Sequence, residues 1–148
     1  MRVRTKLIIV MLIMASASCE VDTKLTVEGG NPPKFLLSGS GTLSRLVIRG
    51  YKTLRKIEGP DASAFWYIET RDAQSLKSIR TLGPITYGQV PEGYVQVYPE
   101  RGTAPQLEEN EVYYVEVNTN GANGADGFFI IKDGKIRFAK YESQLKDS

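Results

Sequence analysis

The sequence predicts an all-β chain folded as a single antiparallel β-sandwich, and three observations carry that prediction. Apolar residues come in short runs, at 35–37, 43–48, 65–68, 93–98, 112–117, 128–131 and 136–138, closed off by Gly, Pro, Asn and Asp. Short strands at such spacing build sandwiches and barrels. The pair Asp133-Gly134 separates two alternating runs, which is the signal of a two-residue hairpin turn with both central residues at positive φ. No stretch holds a helical apolar period for more than about two turns, the best being 72–80 through Ala73, Leu76 and Ile79.

The 148 residues, 41% hydrophobic and 24% charged, suffice for one compact domain and not for two. Polar composition with Gly29-Gly30 and Pro32-Pro33 marks 19–33 as a tether with an edge strand at 24–27, ahead of a domain over 34–141 and a tail over 142–148. Within the domain, alternation assigns faces. Leu46 and Ile48 point inward, with Arg45, Val47 and Arg49 outward. Trp66 and Ile68 are expected in the core, as are Tyr113, Val115 and Val117, with Tyr114 and Glu116 outside. On 94–98 the apolar Val95 and Val97 are assigned inward and Tyr94, Gln96 and Tyr98 outward. A turn at Asp133-Gly134 pairs Lys132 with Lys135, Ile131 with Ile136, Ile130 with Arg137 and Phe129 with Phe138. A one-residue slip would drive Lys135 and Arg137 into the core, so this register is well specified.

The layout resembles immunoglobulin-like and fibronectin type III-like sandwiches over roughly residues 34–139: a Pro-rich start, an alternating strand near Leu46 and a tryptophan strand near Trp66. No pair of cysteines brackets the tryptophan, and the resemblance implies architecture alone.

The first nineteen residues are of another kind. Met1–Lys6 carry three cations and no anion, residues 7–14 are uniformly apolar, and Ala15-Ser16-Ala17-Ser18 are small. This order is that of a cleaved secretory signal peptide, and the apolar run is far short of the roughly 20 residues that span a bilayer. The small residues end at Cys19, and the segment resembles the lipobox of bacterial lipoproteins, with Ala17 and Ser18 matching and Ser16 departing from the usual apolar residue. The resemblance implies cleavage before Cys19 and acylation of its thiol and amino group, palmitate included. A second reading remains open, since Ala15-Ser16-Ala17 is also a cleavage signal that would release a chain starting at Ser18. Two or three acyl chains, at about 0.8 kcal/mol per buried methylene, hold a protein on a membrane where one chain is marginal. Removing residues 1–18 takes away Arg2, Arg4 and Lys6 and leaves 16 bases against 17 acids. Glu20 after the cysteine, in place of Asp, implies the outer membrane or cell surface over the inner membrane.

The near balance of charge excludes a nucleic-acid field. With no His and one Cys, histidine metal sites, Ser-His and Cys-His catalysis and disulfide frameworks are excluded. Residues 118–127 are rich in oxygen ligands but hold one carboxylate, Asp126, and read as a flexible strand connection, with calcium as the open alternative. Glu108, Glu109 and Glu111 read as a solvated turn and Gly39-Ser40-Gly41 as a strand connection. No catalytic residue, metal or cofactor is expected. The outward tyrosines Tyr94, Tyr98, Tyr114 and Tyr67, with Tyr87, form the candidate binding surface, because tyrosine supplies contact area at small entropic cost. The expected role is a non-enzymatic, lipid-anchored binding or assembly module of the cell envelope, its partner another envelope protein. The alternative is a small exported carbohydrate-binding domain with a glycan as ligand.

Overall fold

The computed structural model describes residues 22–54 and 64–145, so the expected signal peptide, Cys19 and the start of the expected tether lie outside the described residues. Among the described residues the strands are β1 (Lys24–Gly29), β2 (Pro33–Ser38), β3 (Thr42–Gly50), β4 (Ala64–Thr70), β5 (Ile85–Thr86), β6 (Tyr94–Tyr98), β7 (Val112–Asn120), β8 (Ala125–Lys132) and β9 (Lys135–Ala139). Single helical turns, α1 (Tyr51–Leu54) and α2 (Ile79–Leu82), and 3₁₀ turns at Ala73–Ser75 and Glu142–Leu145 complete them. Two antiparallel sheets pack together, one of three strands in the order β1-β2-β5 and one of six in the order β6-β4-β3-β7-β8-β9. The chain is thus an all-β sandwich. Its three-plus-six division differs from the four-plus-three of immunoglobulin constant-type domains, so the likeness to them is one of layered architecture.

Alternation builds the core between the layers. Leu46 and Ile48 of β3, Trp66 and Ile68 of β4, Tyr113, Val115 and Val117 of β7 and Phe129 and Ile131 of β8 face Val27, Phe35 and Ile85 of the small sheet. Leu43 and Leu46 are both buried although three residues apart, because a register shift between Leu43 and Arg45 resets the pleat there. The Ser44 hydroxyl donates to Asn118 O at 2.9 Å beside that shift. At the heart of the core the Phe129 ring stacks on Tyr113 at 5.4 Å and meets Phe35 edge-on at 6.0 Å. The β8–β9 hairpin has the register read from the sequence, with Asp133 at φ 51° and Gly134 at φ 69°.

Three expectations need correction. The packed domain begins at Thr23, which is 5% exposed, and not at Lys34: β1 pairs with β2 along its whole length and buries Val27. The expected edge strand is there, but it belongs to the sandwich. At the other end Leu145 is buried against β8 and β9, so residues 142–145 are part of the domain. The helix expected over 72–80 divides. Asp72 caps the 3₁₀ turn by accepting from Ser75 N at 2.8 Å, and Leu76 leaves helical geometry. Lys77 O then accepts from Leu43 N, Ser78 bridges Thr42, and the Ser78 hydroxyl caps α2.

Phe129 carries enough of this packing that Phe129→Ala is expected to lower stability by about 3–5 kcal/mol, read from the shift in urea midpoint of the folded chain.

Candidate functional site

The tyrosines divide between the two faces of the six-stranded sheet, and the division starts at β6. Residues directly opposite in an antiparallel pair share a face. Gln96 lies opposite the buried Ile68, and Tyr98 lies opposite Tyr67, with Val97 left over at a register shift between them. Tyr94 and Gln96 therefore point inward, the reverse of the sequence expectation, while Val97 is 37% exposed and Val95 lies opposite Glu69. Tyr94 is only 2% exposed and is not part of any surface.

The inversion is stable because each inward polar group has a partner. Tyr94 Oη donates to Leu43 O at 2.9 Å, and burial pushes its phenol pKa up. The indole N–H of Trp66 donates to Gln96 Oε1 at 3.1 Å, and Gln96 Nε2 donates to Pro99 O at 2.8 Å and Gly102 O at 3.1 Å. Tyr87 is also interior: its ring meets Trp66 edge-on at 5.4 Å and its hydroxyl donates to Pro105 O at 2.8 Å. Sequence reasoning overlooked Gln96. The available signal was the lone tryptophan, since a buried indole N–H calls for an acceptor nearby.

On the outer face one cross-strand row runs Tyr98, Tyr67, Val47, Glu116, Asp126 over five strands. Tyr98 is 43% exposed, and Tyr67 beside it donates to Glu69 Oε2 at 2.6 Å. Burial, then this bond to Glu69, raises the Tyr67 pKa. Tyr114 belongs to a second group, tilted on Phe128 at 5.0 Å, with Tyr51 meeting Phe128 edge-on at 5.5 Å. Between the groups lie Val47 and Arg49, which point outward as expected yet are buried, at 2% and 7%. Glu116 holds Arg45 at 3.2 Å and Arg49 at 3.8 Å, and Asp126 holds Lys140 at 2.7 Å. The exposed pairs Arg45–Glu116 and Lys140–Asp126 contribute about 0–1 kcal/mol each and mainly fix side-chain position, whereas Arg49 meets Glu116 from a buried position. The structure thus brings Tyr67 and Tyr98 together at the β6 edge, sets Tyr114 apart, and removes Tyr94 and Tyr87.

The remaining candidates resolve into local structure. Gly121–Gly124 is the β7–β8 turn, where Asn123 Nδ2 donates to Asp22 Oδ1 at 2.8 Å and Asp126 stands in β8. Among the described residues no three Cys, Asp or Glu side chains gather as metal ligands do. Glu109 accepts from Gly134 N at 3.0 Å, Glu111 pairs with Lys52, and Glu108 N donates to Tyr113 Oη at 2.8 Å, so the three glutamates serve separate contacts.

Two measurements check this assignment. Tyr94→Ala is expected to cost about 3–5 kcal/mol in chemical unfolding and Tyr98→Ala less than about 1 kcal/mol; equal costs would restore the simple alternation. The Tyr114 pKa is pushed up to about 12 by burial first, then by Asp126 and Glu116, with Arg49 opposing. Above pH 10 the unfolded chain releases this proton while the folded chain keeps it. Its contribution to stability is therefore full below pH 10 and declines between pH 10 and 12. Tyr114→Phe is expected to flatten that part of the alkaline stability profile, measured by urea midpoints across the range.

No protein-family model, curated protein or solved structure matches the chain.

Proposed function

We propose that the chain is a lipid-anchored protein of the bacterial cell envelope, acylated at Cys19, whose sandwich acts as a non-enzymatic binding or assembly module. The observation that carries this reading is the order of the first nineteen residues: cations at Arg2, Arg4 and Lys6, eight apolar residues, four small ones, then the one cysteine of the chain. An exported protein with a lone cysteine otherwise carries an unpaired reactive thiol, and acylation accounts for it. Two or three acyl chains make the attachment lasting. Glu20 after the cysteine favours the outer membrane or cell surface. The docking surface is the β6 edge, where Val97, Tyr98 and Tyr67 offer apolar and aromatic area beside Glu69, and its partner is another envelope protein. The cross-strand pairing of Tyr67 with Tyr98 on the outer face also favours a second reading, in which that edge stacks on the sugar faces of a glycan.

Intact mass and palmitate labelling of the full chain expressed in a bacterium, wild type against Cys19→Ala, test the anchor. The expected product begins at acylated Cys19, with label absent from the variant. An unlabelled chain beginning at Ser18 would refute the anchor. On a glycan array the envelope-partner reading predicts no sugar bound in a Tyr67- and Tyr98-dependent way, and such binding would install the second reading.

A further inference from the structure

The first residues of the described chain are tied firmly to one end of the sandwich. Thr23 N donates to Asn123 O at 3.2 Å, its hydroxyl donates to Ser40 O at 3.1 Å, and it meets the Thr119 hydroxyl at 3.3 Å. Asp22 accepts from Asn123, and the backbone of Asp22 lies against Gly39 so closely that a Cβ there would stand 2.2 Å from Asp22 O. These ties gather the β2–β3 turn and the β7–β8 turn at the same end. The opposite end carries Asn31, whose amide donates to Leu107 O, and the Asp133-Gly134 turn held by Glu109. The six residues of β1 put about 20 Å between the two ends.

A groove of about 530 Å³ runs along the β2 edge from Leu36, opposite Thr26 in the middle of β1, to Gly39 at the Thr23 end. Leu36, Leu37, Ile79 and Pro84 line it, and Arg80 stands at its rim with Nε donating to Gly39 O at 3.3 Å. It exists because β5 pairs only with Lys34 and Phe35. Among the described residues the β2 edge at Leu36–Ser38 therefore has no strand on that side, and α2 forms the other wall. Lys24 is exposed at the same end.

Only Glu20 and Val21 lie between Cys19 and Asp22, and those three Cα-to-Cα steps span at most about 11 Å. We propose that the Thr23 end lies on the bilayer and that the groove takes membrane phospholipid, its apolar lining at the headgroup–acyl boundary and Arg80 on the lipid phosphates. The inference rests on the reading of Cys19 as the acylated residue. Given that anchor, a leash of at most about 11 Å, against a sandwich about 20 Å long, presents this end to the membrane and the Asp133-Gly134 end to water. An apolar cleft rimmed by a guanidinium matches the layering of a bilayer surface, where arginine keeps its charge at the phosphates while its stem covers apolar surface.

The test uses the full chain purified from membranes and reconstituted in vesicles of phosphatidylethanolamine and phosphatidylglycerol. Acylation consumes the one native thiol, so Pro84→Cys, Lys24→Cys and Lys135→Cys each supply a single site for a nitroxide. The label at 84, and that at 24, is expected to show several-fold less collision with a water-soluble nickel relaxant and more with oxygen than the label at 135. Equal nickel accessibility at all three positions, in a chain whose intact mass confirms acylated Cys19, would overturn the orientation and leave the anchor standing. A mass lacking the acyl groups overturns both.

Discussion

β3 runs antiparallel to β7 over its full length, from Thr42 opposite Asn120 to Gly50 opposite Tyr113, and this pairing joins the two halves of the large sheet. On one side β4 and β6 add to β3, and on the other β8 and β9 add to β7. The inner faces of the pair place Leu46 and Ile48 beside Val117 and Val115, the platform on which Val27, Phe35 and Ile85 of the small sheet settle. The outer faces place Val47 and Arg49 beside Glu116 and Tyr114, which is why outward residues here are nearly as buried as inward ones. With apolar groups on one face and a salt-bridged aromatic layer on the other, the pair cannot slip by one residue without exposing one set and stranding the other.

The parts of this fold that could be read in advance are those where one physical demand acts alone. On β7 and across the β8–β9 turn, burial of one face is that demand. Strict alternation and the positive-φ needs of Asp133-Gly134 then give faces and register together. β6 departs from its sequence pattern because two demands compete there. Apolar burial favours Val95 and Val97 inward, but the Trp66 indole needs an acceptor and the Leu43 carbonyl a donor, and Gln96 and Tyr94 supply them. Satisfying buried polar groups outweighs hiding two valines at a sheet edge. β1 reads from the sequence as part of a tether because only Leu25 and Val27 are apolar in it. A two-sided edge strand needs no more than that. β5, two residues long, leaves no sequence signal, although its shortness leaves the groove beside Leu36.

The candidate surface was legible to the same extent. Tyr67 and Tyr98 share an exposed edge because their strands are neighbours and the register shift turns Tyr98 outward. Tyr114 lies across β3 from them, so a surface that reads as one in sequence is two in space. Under the proposed anchor at Cys19, the placement of the domain depends less on the tyrosines than on Thr23. Thr23 closes one end of the sandwich through hydrogen bonds to Asn123 O and Ser40 O and a hydroxyl contact with Thr119, and so any attachment at Cys19 acts on the whole domain through a short length of chain.

That claim reduces to whether Thr23 and β1 belong to the same cooperative unit as β3 and β7. Native-state hydrogen exchange of the amides of Thr23–Val27, against those of Leu46–Ile48 and Val115–Val117, measures it directly. The account predicts that both sets exchange through one common opening, with similar free energies and similar denaturant dependence. Fast exchange of Thr23–Val27 while the central strands stay protected would contradict it and return the segment to the status of a loose tether.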